Sequence, residues 1–452
     1  MSFRSKGLVL AMEEEGLIPA ESEGIAAEPE IVPAEVEQEI AEVQEEGGEV
    51  EDLNTAIEEA VEDVGTLEDT ADVLEESVDE GGEGIDEAGA EIAEIAVESL
   101  CRRLGIKKKV MPALEGFKSS NSRVTATRVA LEGFKDVIAR AWAAIKSAFA
   151  SLWTKIKAFL DSVLNANTKL KAAAEAAKKQ VDGIKGKTAA AAEFENGSVA
   201  AAFGFEGKAS GEVAVKVLAK STEYLSDFSA AGEGFEAAMK VVGELVTMFG
   251  NVAGSQNQSL NINEKLQEEL AKAINAIANS VKGNAVVADG AYTFGPFVGG
   301  KTVVMTLKAE GGKVTATFTD GQEGKASEGK TVATLSADEA TKVLDGVLAL
   351  AAAGEKLKAK KDYVSKFEKT ANATIDAAIK SAGKLEGVDK MPEGVKAAFD
   401  SCKSATAAFG NSYGKLSTKV PGLAVQGGKL ALNYVAASLK QYKEEKAAAK
   451  AE

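Results

Sequence analysis

The chain has no histidine and only two cysteines among its 452 residues. Histidine is the commonest general base, the usual partner of a nucleophilic serine or cysteine, and a frequent zinc or haem ligand. Its absence removes the Ser-His and Cys-His nucleophile pairs and most zinc or haem ligation. Hydrolytic mechanisms built on Lys or carboxylates stay open, but no pair of Asp or Glu side chains stands out by its spacing. We therefore expect a protein that is not an enzyme and that has no cofactor, no metal site and no small-molecule substrate.

Cysteine spacing gives no sign of a disulfide framework or a zinc site, because Cys101 and Cys402 lie 301 residues apart. We expect both thiols to be unpaired.

Long apolar runs are also missing. The stretch from Leu8 to Met12 is too short for the core of a secretory signal, and no run approaches the roughly 18 apolar residues of a membrane-spanning helix.

Basic residues are absent between Lys6 and Arg102, whereas this segment carries 33 Asp and Glu residues. Residues 1–115, called the arm below, hold 34 acidic and 7 basic side chains, a net charge of -27. Residues 116–452, the body, hold 36 acidic and 45 basic side chains, a net charge of +9. An arm of this charge repels anionic partners, so it cannot bind nucleic acid.

The arm is rich in Glu, Ala, Val, Ile and Gly, with only weak helical periodicity. Gly-Gly pairs at 47–48 and 81–82 are expected to interrupt any helix. We expect the isolated arm to be largely disordered, because self-repulsion and few large apolar residues cannot offset chain entropy. Short amphipathic helices would then form only on a partner.

The body carries the strongest structural signal of the sequence, an apolar seam at helical spacing from Ile138 to Val163 that includes Trp142. Lysines and an arginine lie among these residues, so the basic helix 134–163 has two interpretations. One is a helix packed in a bundle; the other is a helix that binds a membrane or lipid surface. Further helices are predicted near 167–183, 212–228, 233–249, 263–282, 337–360, 363–382, 395–409 and 428–448.

Residues 291–335 differ from their surroundings, because two β-branched runs, 302–307 and 314–319, flank the turn sequence 310–313. This pattern predicts a hairpin in a small antiparallel sheet. Just before it, Gly295–Thr302 matches the phosphate-binding pattern G-x-x-x-x-G-K-[ST]. A phosphate loop must open a helix, whereas Thr302 begins a strand pattern, so a hairpin connection is the better interpretation and nucleotide binding the alternative.

The fold class that follows is mainly α, with elongated or bundled helices, a small inserted antiparallel sheet and a largely disordered acidic N-terminal region. The predicted organisation is an arm over 1–115, a cleavable hinge over 116–132, a helical region over 133–290, the sheet over 291–335 and a second helical region over 336–452.

A six-residue repeat lies at the junction of arm and body: Ala113-Leu114-Glu115-Gly116-Phe117-Lys118 recurs 17 residues later as Ala130-Leu131-Glu132-Gly133-Phe134-Lys135. One interpretation is a helical motif duplicated for packing. The other is a protease recognition site, since the Ser/Asn/Thr/Arg-rich stretch between the copies predicts an exposed, poorly ordered segment.

A long acidic N-terminal region, A-x-E junctions and an Ala/Lys-rich body resemble the internal head and prohead-core proteins of large contractile-tailed bacteriophages, including the phiKZ-like phages. In that family a prohead protease cuts after a glutamate preceded two positions earlier by a small or aliphatic residue. Carried onto this sequence, the pattern places candidate cleavage between Glu115 and Gly116 and between Glu132 and Gly133, with Ala96-Val97-Glu98 as a weaker third match.

The resemblance implies a structural protein of the head interior that is cleaved during capsid maturation, located in the virion and, during assembly, in the host cytoplasm. Its partners would be other head proteins and the prohead protease. Cutting at Glu115 leaves a product of +9 and cutting at Glu132 one of +7, which would allow weak contact with packaged DNA. The competing hypothesis, from another class, is a protein that binds lipid surfaces through helix 134–163.

Overall fold

The computed structural model describes residues 33–442 except for 79–81, 108, 254–260, 282–284, 289, 312, 326–328, 358–360 and 386–393. Its helices are α1 (Ala34–Val78), α2 (Glu87–Arg103), α3 (Ser120–Asp182), α4 (Gly197–Phe203), α5 (Gly211–Ala253), α6 (Ile262–Val281), α7 (Ala337–Glu355), α8 (Lys361–Leu385) and α9 (Val395–Lys440). The mainly α prediction is confirmed.

The strands form two antiparallel sheets. A four-stranded sheet has the order β2 (Val286–Ala288), β3 (Ala291–Phe294), β4 (Lys301–Glu310) and β5 (Lys313–Gln322). A two-stranded sheet pairs β1 (Glu193–Glu195) with β6 (Thr331–Ala333). In the predicted hairpin β4 pairs β5 with Val304 opposite Thr319, and the buried face of β4 carries Val303, Met305 and Leu307. The predicted inserted sheet is confirmed, while β1, β2 and β6 are too short to give a sequence signal.

Helix α9 lies at the centre of the helical packing, since it contacts α1, α3, α5, α7 and α8 and 30 of its 46 residues are buried. The sequence predicted a break between 409 and 428, where Pro421 and several glycines lie. These glycines instead admit neighbours: a Cβ on Gly410 would meet the Phe149 ring at 2.8 Å, and one on Gly428 would meet Leu170 at 2.9 Å. Close helix packing therefore stabilises one continuous helix where propensity alone favours an interruption.

The arm differs most from expectation, because α1 runs unbroken through Gly47 and Gly48 and packs on the body. A Cβ on Gly47 would approach the Phe159 ring at 3.4 Å, so the small residue lets α1 lie close to α3. The expectation of short helices broken at this pair is therefore wrong, since packing stabilises one long helix. The partner on which the arm becomes helical is the rest of the same chain. Disorder of the isolated arm stays a prediction.

Candidate processing junction and the seat of the acidic arm

The first copy of the repeat lies in a short connection before α3. Leu114–Phe117 form a 3-10 helix in which Glu115 is exposed and Phe117 is fully buried. Two backbone hydrogen bonds hold this turn, from Gly116 N to Ala113 O at 2.9 Å and from Lys118 N to Glu115 O at 3.3 Å. The Arg123 guanidinium also donates to the Phe117 carbonyl at 2.9 Å. The Glu115–Gly116 bond therefore lies near the surface, in a single short turn.

The second copy lies inside α3, in regular helix on both sides. Glu132 is exposed, whereas Phe134 is fully buried. A Cβ on Gly133 would lie 2.7 Å from the Val110 carbonyl oxygen. This glycine thus lets the chain preceding the first copy cross the helix at close range.

Both copies contribute to one small apolar cluster, separate from the main core and called the distal cluster below. Phe117 and Phe134 lie in it together with residues from the C-terminal end of α1, from α2 and from the first turns of α3. Its sixteen buried members are Leu67, Ala71, Leu74, Ala90, Ala93, Val97, Leu100, Cys101, Val110, Met111, Phe117, Ala126, Ala130, Leu131, Phe134 and Val137. The repeat therefore has a packing role.

The expected poorly ordered hinge is wrong over residues 120–128, which are the first turns of α3. Ala126 is buried in the distal cluster, and the buried Thr127 hydroxyl accepts a hydrogen bond from the Ile85 N–H at 3.1 Å. Ala126 and Thr127 are thus buried, whereas Ser120, Thr125 and Arg128 are exposed. Composition alone cannot distinguish such a half-buried helical turn from a linker.

The third candidate glutamate, Glu98, lies within α2 next to the fully buried Val97. The two cysteines are both free and buried, as expected, with Cys101 in the distal cluster and Cys402 in the main core. Among the three glutamates, only Glu115 lies outside an α-helix.

The arm is seated on the body along α1, which runs antiparallel to both α3 and α9. Its apolar stripe is buried in the main core, each side chain at most 2% exposed, and consists of Val36, Ile40, Val43, Val50, Ile57 and Val64. These side chains form the apolar part of the contact between arm and body.

Acidic side chains flank this stripe and meet lysines of α3 and α9. The Glu58 carboxylate lies 2.7 Å from Lys415 Nζ, and Glu75 lies 3.3 Å from Lys135 Nζ. The other cross-helix pairs are Glu35–Lys169, Glu37–Lys429, Glu49–Lys155, Glu51–Lys419, Glu68–Lys403 and Asp72–Lys396. The excess charges of arm and body thus face one another along about 60 Å of helix.

One of these pairs is buried and lies at the boundary between the main core and the distal cluster. The Glu68 carboxylate accepts from Trp142 Nε1 at 2.9 Å and from Lys403 Nζ, and Lys403 also lies 2.7 Å from Asp400. The Lys403 side chain is only 6% exposed, and its ammonium lies 5.1 Å from the centre of the Trp142 ring. We call Glu68 and Lys403 the boundary pair.

In the boundary pair, the Lys403 ammonium lies between the carboxylates of Glu68 and Asp400, and this arrangement sets the protonation states. Burial raises the pKa of the Glu68 carboxyl, against the opposing effect of Lys403. Burial alone would lower the pKa of Lys403, but Glu68 and Asp400 outweigh it and the pKa is raised. The ammonium is therefore held charged at neutral pH. No sequence signal marks this site, because its partners lie up to 335 residues apart.

The lipid-binding hypothesis fails on the position of helix 134–163. Its large apolar side chains Trp142, Phe149, Trp153 and Phe159 are at most 3% exposed and belong to the main core, and Ile138 is partly buried against it. No apolar face of this segment is left to enter a bilayer. Within the described residues, no helix is long and apolar enough to span a membrane.

The phosphate-loop match is a connection between strands. Gly295 is held by the Tyr224 hydroxyl, which accepts from the Gly295 N–H at 2.8 Å and donates to its carbonyl at 3.2 Å. Lys301 and Thr302 then begin β4 rather than a helix. The backbone amides and helix dipole that hold phosphate in such loops are not arranged here.

One known protein family matches most of the chain. The family model of phiKZ-like phage internal head proteins matches residues 35–437, which includes almost all of α1, the candidate processing junction and almost all of α9. No curated protein sequence and no solved structure matches the chain. Because the match covers most of the sequence, the chain belongs to the family of phiKZ-like phage internal head proteins.

Proposed function

We propose that this internal head protein has a structural role in the capsid interior and is made as a precursor that the prohead protease cuts after Glu115 during maturation. The observation that carries the proposal is the position of Glu115: it is exposed, it lies in a four-residue 3-10 helix, and it marks the point where an acidic arm meets a basic body.

Glu115 is favoured over the second copy because a protease needs several residues in extended conformation. Freeing Glu115 opens one short turn and withdraws Phe117 from the distal cluster. Freeing Glu132 unwinds α3 in its interior and withdraws both Leu131 and Phe134. The free energy of local opening is therefore larger at Glu132 than at Glu115. We expect Glu132 to be cut more slowly, or only after the first cut.

The cut would reverse the sign of the protein's charge. The whole chain has a net charge of -18, whereas the product that starts at Gly116 has +9. Such a product could share the capsid interior with packaged DNA through weak phosphate contacts, but its charge is spread over too many residues for a dedicated DNA-binding protein.

Mass spectrometry of purified native particles tests the proposal. We expect a dominant species that begins at Gly116, with a minor one at Gly133. In particles assembled with Glu115→Ala, the Gly116 species disappears, whereas the matched variant Glu98→Ala leaves processing unchanged. A dominant species that begins at Met1 or Ser2 would refute processing.

A further inference from the structure

The surface of α3 and α9 on which α1 lies has an apolar floor between charged edges. These two features together determine which kind of partner can bind there. Six buried aliphatic residues of α1 cover the floor, and eight lysines of α3 and α9 flank it. We call the surface of α3 and α9 under α1 the arm groove.

Nucleic acid matches only half of this chemistry. Phosphates could replace the carboxylates at the lysine edges, but a sugar-phosphate backbone would leave the apolar floor uncovered. The floor also contains the Trp142 indole N–H, which needs an acceptor when it is buried. An amphipathic helix with an aliphatic stripe between two acidic rows satisfies every part of the groove, as α1 itself shows.

The connection between α1 and the body determines whether the groove can exchange its occupant. In the precursor, α1 reaches α3 through α2 and the segment 104–119, so its own helix is always present at high effective concentration. A cut after Glu115 removes this covalent tie but leaves the floor contacts and the ion pairs in place.

We infer that the arm groove is a docking site for acidic amphipathic helices, and that cleavage converts α1 into an exchangeable ligand that a second copy of the chain can supply. This inference rests on the proposed cleavage for its biological setting. Almost all of α1 lies within the matched family region, residues 35–437. After the cut, an arm that leaves one body can occupy the arm groove of a neighbouring copy.

An engineered cut tests docking independently of the native protease. A site for a sequence-specific protease is inserted after the exposed Lys107 in the full chain, and the protein is cut under native conditions. Cut protein labelled with 15N is mixed with cut unlabelled protein at physiological salt and temperature. Native mass spectrometry should find the arm retained and, at equal mixing, should find heavy arms on light bodies and light arms on heavy bodies each approaching about one quarter of all complexes. Uncut protein should give no such mixed species.

Charge swaps at the groove edges show whether the arm occupies the same site after exchange. Arms with Glu49→Lys and Glu58→Lys should prefer bodies with Lys155→Glu and Lys415→Glu over unchanged bodies by about fivefold. Arms with Asp52→Lys and Glu59→Lys, where both side chains are exposed on α1, make the same change in net charge. Because they keep Glu49 and Glu58, they should instead prefer the unchanged bodies.

Two results would overturn the inference: arms that leave and bodies that stay empty, or arms that remain but never mix. Equal preference of both arm variants would place the exchanged arm elsewhere. Failure of native processing is a separate result, since it would appear as an uncut species in particles while the engineered cut still gave exchange.

Discussion

The main core and the distal cluster are both apolar, but different parts of the chain supply them. The arm contributes ten of the sixteen buried residues of the distal cluster, whereas its α1 contributes six aliphatic residues to a main core built largely from the body. A cut after Glu115 therefore passes through the distal cluster and leaves the body's share of the main core intact. The comparison shows that arm and body build the distal cluster jointly, while the body supplies most of the main core.

The boundary pair separates the two clusters and should give the largest effect. Lys403→Met leaves the Glu68 carboxylate buried beside Asp400 with no ammonium, and should lower the free energy of unfolding by about 3–5 kcal/mol. Chemical denaturation at neutral pH measures it. The matched variant Lys415→Met removes a more exposed pair and should cost about 1 kcal/mol or less. Equal losses would show that the boundary pair is not special.

Phe134→Ala tests whether the distal cluster opens by itself. The substitution should cost about 3 kcal/mol through lost burial and the cavity left behind. Hydrogen exchange should show the loss of protection concentrated in α2 and the first turns of α3. Phe367→Ala, at a fully buried aromatic of the main core, should instead lower protection in the surrounding helices α3, α5 and α9. Uniform loss in both variants would mean that the clusters unfold as one unit.

Gly133→Ala sharpens the comparison where the chain before the first repeat copy crosses α3. Helix propensity favours alanine by about 1 kcal/mol, but the added Cβ would lie 2.7 Å from the Val110 carbonyl. We expect a net loss of about 1–3 kcal/mol, because backbone must move. Gly48→Ala, whose Cβ meets nothing within 4 Å, should stabilise the protein by about 0.5–1 kcal/mol. Thermal unfolding of both variants distinguishes crowding from propensity.

The smallest predicted effect is a pH dependence at the boundary. Because the folded-state pKa of Lys403 is raised above 10.5, its stabilisation is complete below that value and is lost as pH rises through the folded pKa. The difference in unfolding free energy between the unchanged protein and Lys403→Met should shrink above pH 10.5, by up to about 1.4 kcal/mol per pH unit. Denaturation between about pH 9 and about pH 11.5 checks this. A constant difference would contradict the raised pKa.

Much of the helical architecture follows from local patterns. The seam from Ile138 to Val163 predicts the buried face of α3, and the β-branched runs around residues 310–313 predict the β4–β5 hairpin. Helix boundaries were predicted less well. The sequence suggests interruptions at 47–48, between 228 and 233 and between 409 and 428, and each of these lies inside one helix of the structure.

The candidate site divides in the same way. The sequence alone marks the junction, because the six-residue repeat lies where the acidic arm meets the basic body. The sequence could not predict that Glu115 lies in a short 3-10 turn and Glu132 inside α3. The composition of the segment between them is typical of a linker, yet most of it is helical in the structure.

By itself, the sequence determined the segregation of charge, the helical class, the hairpin and the two copies of the junction motif, because these depend on composition and on spacing within short windows. Only the tertiary structure decided that the acidic arm lies antiparallel to α3 and α9, and that Glu68 meets Lys403 and Trp142. The physical reason is that these contacts join distant segments, and burial against a partner can override glycine's helix cost of about 1 kcal/mol per residue.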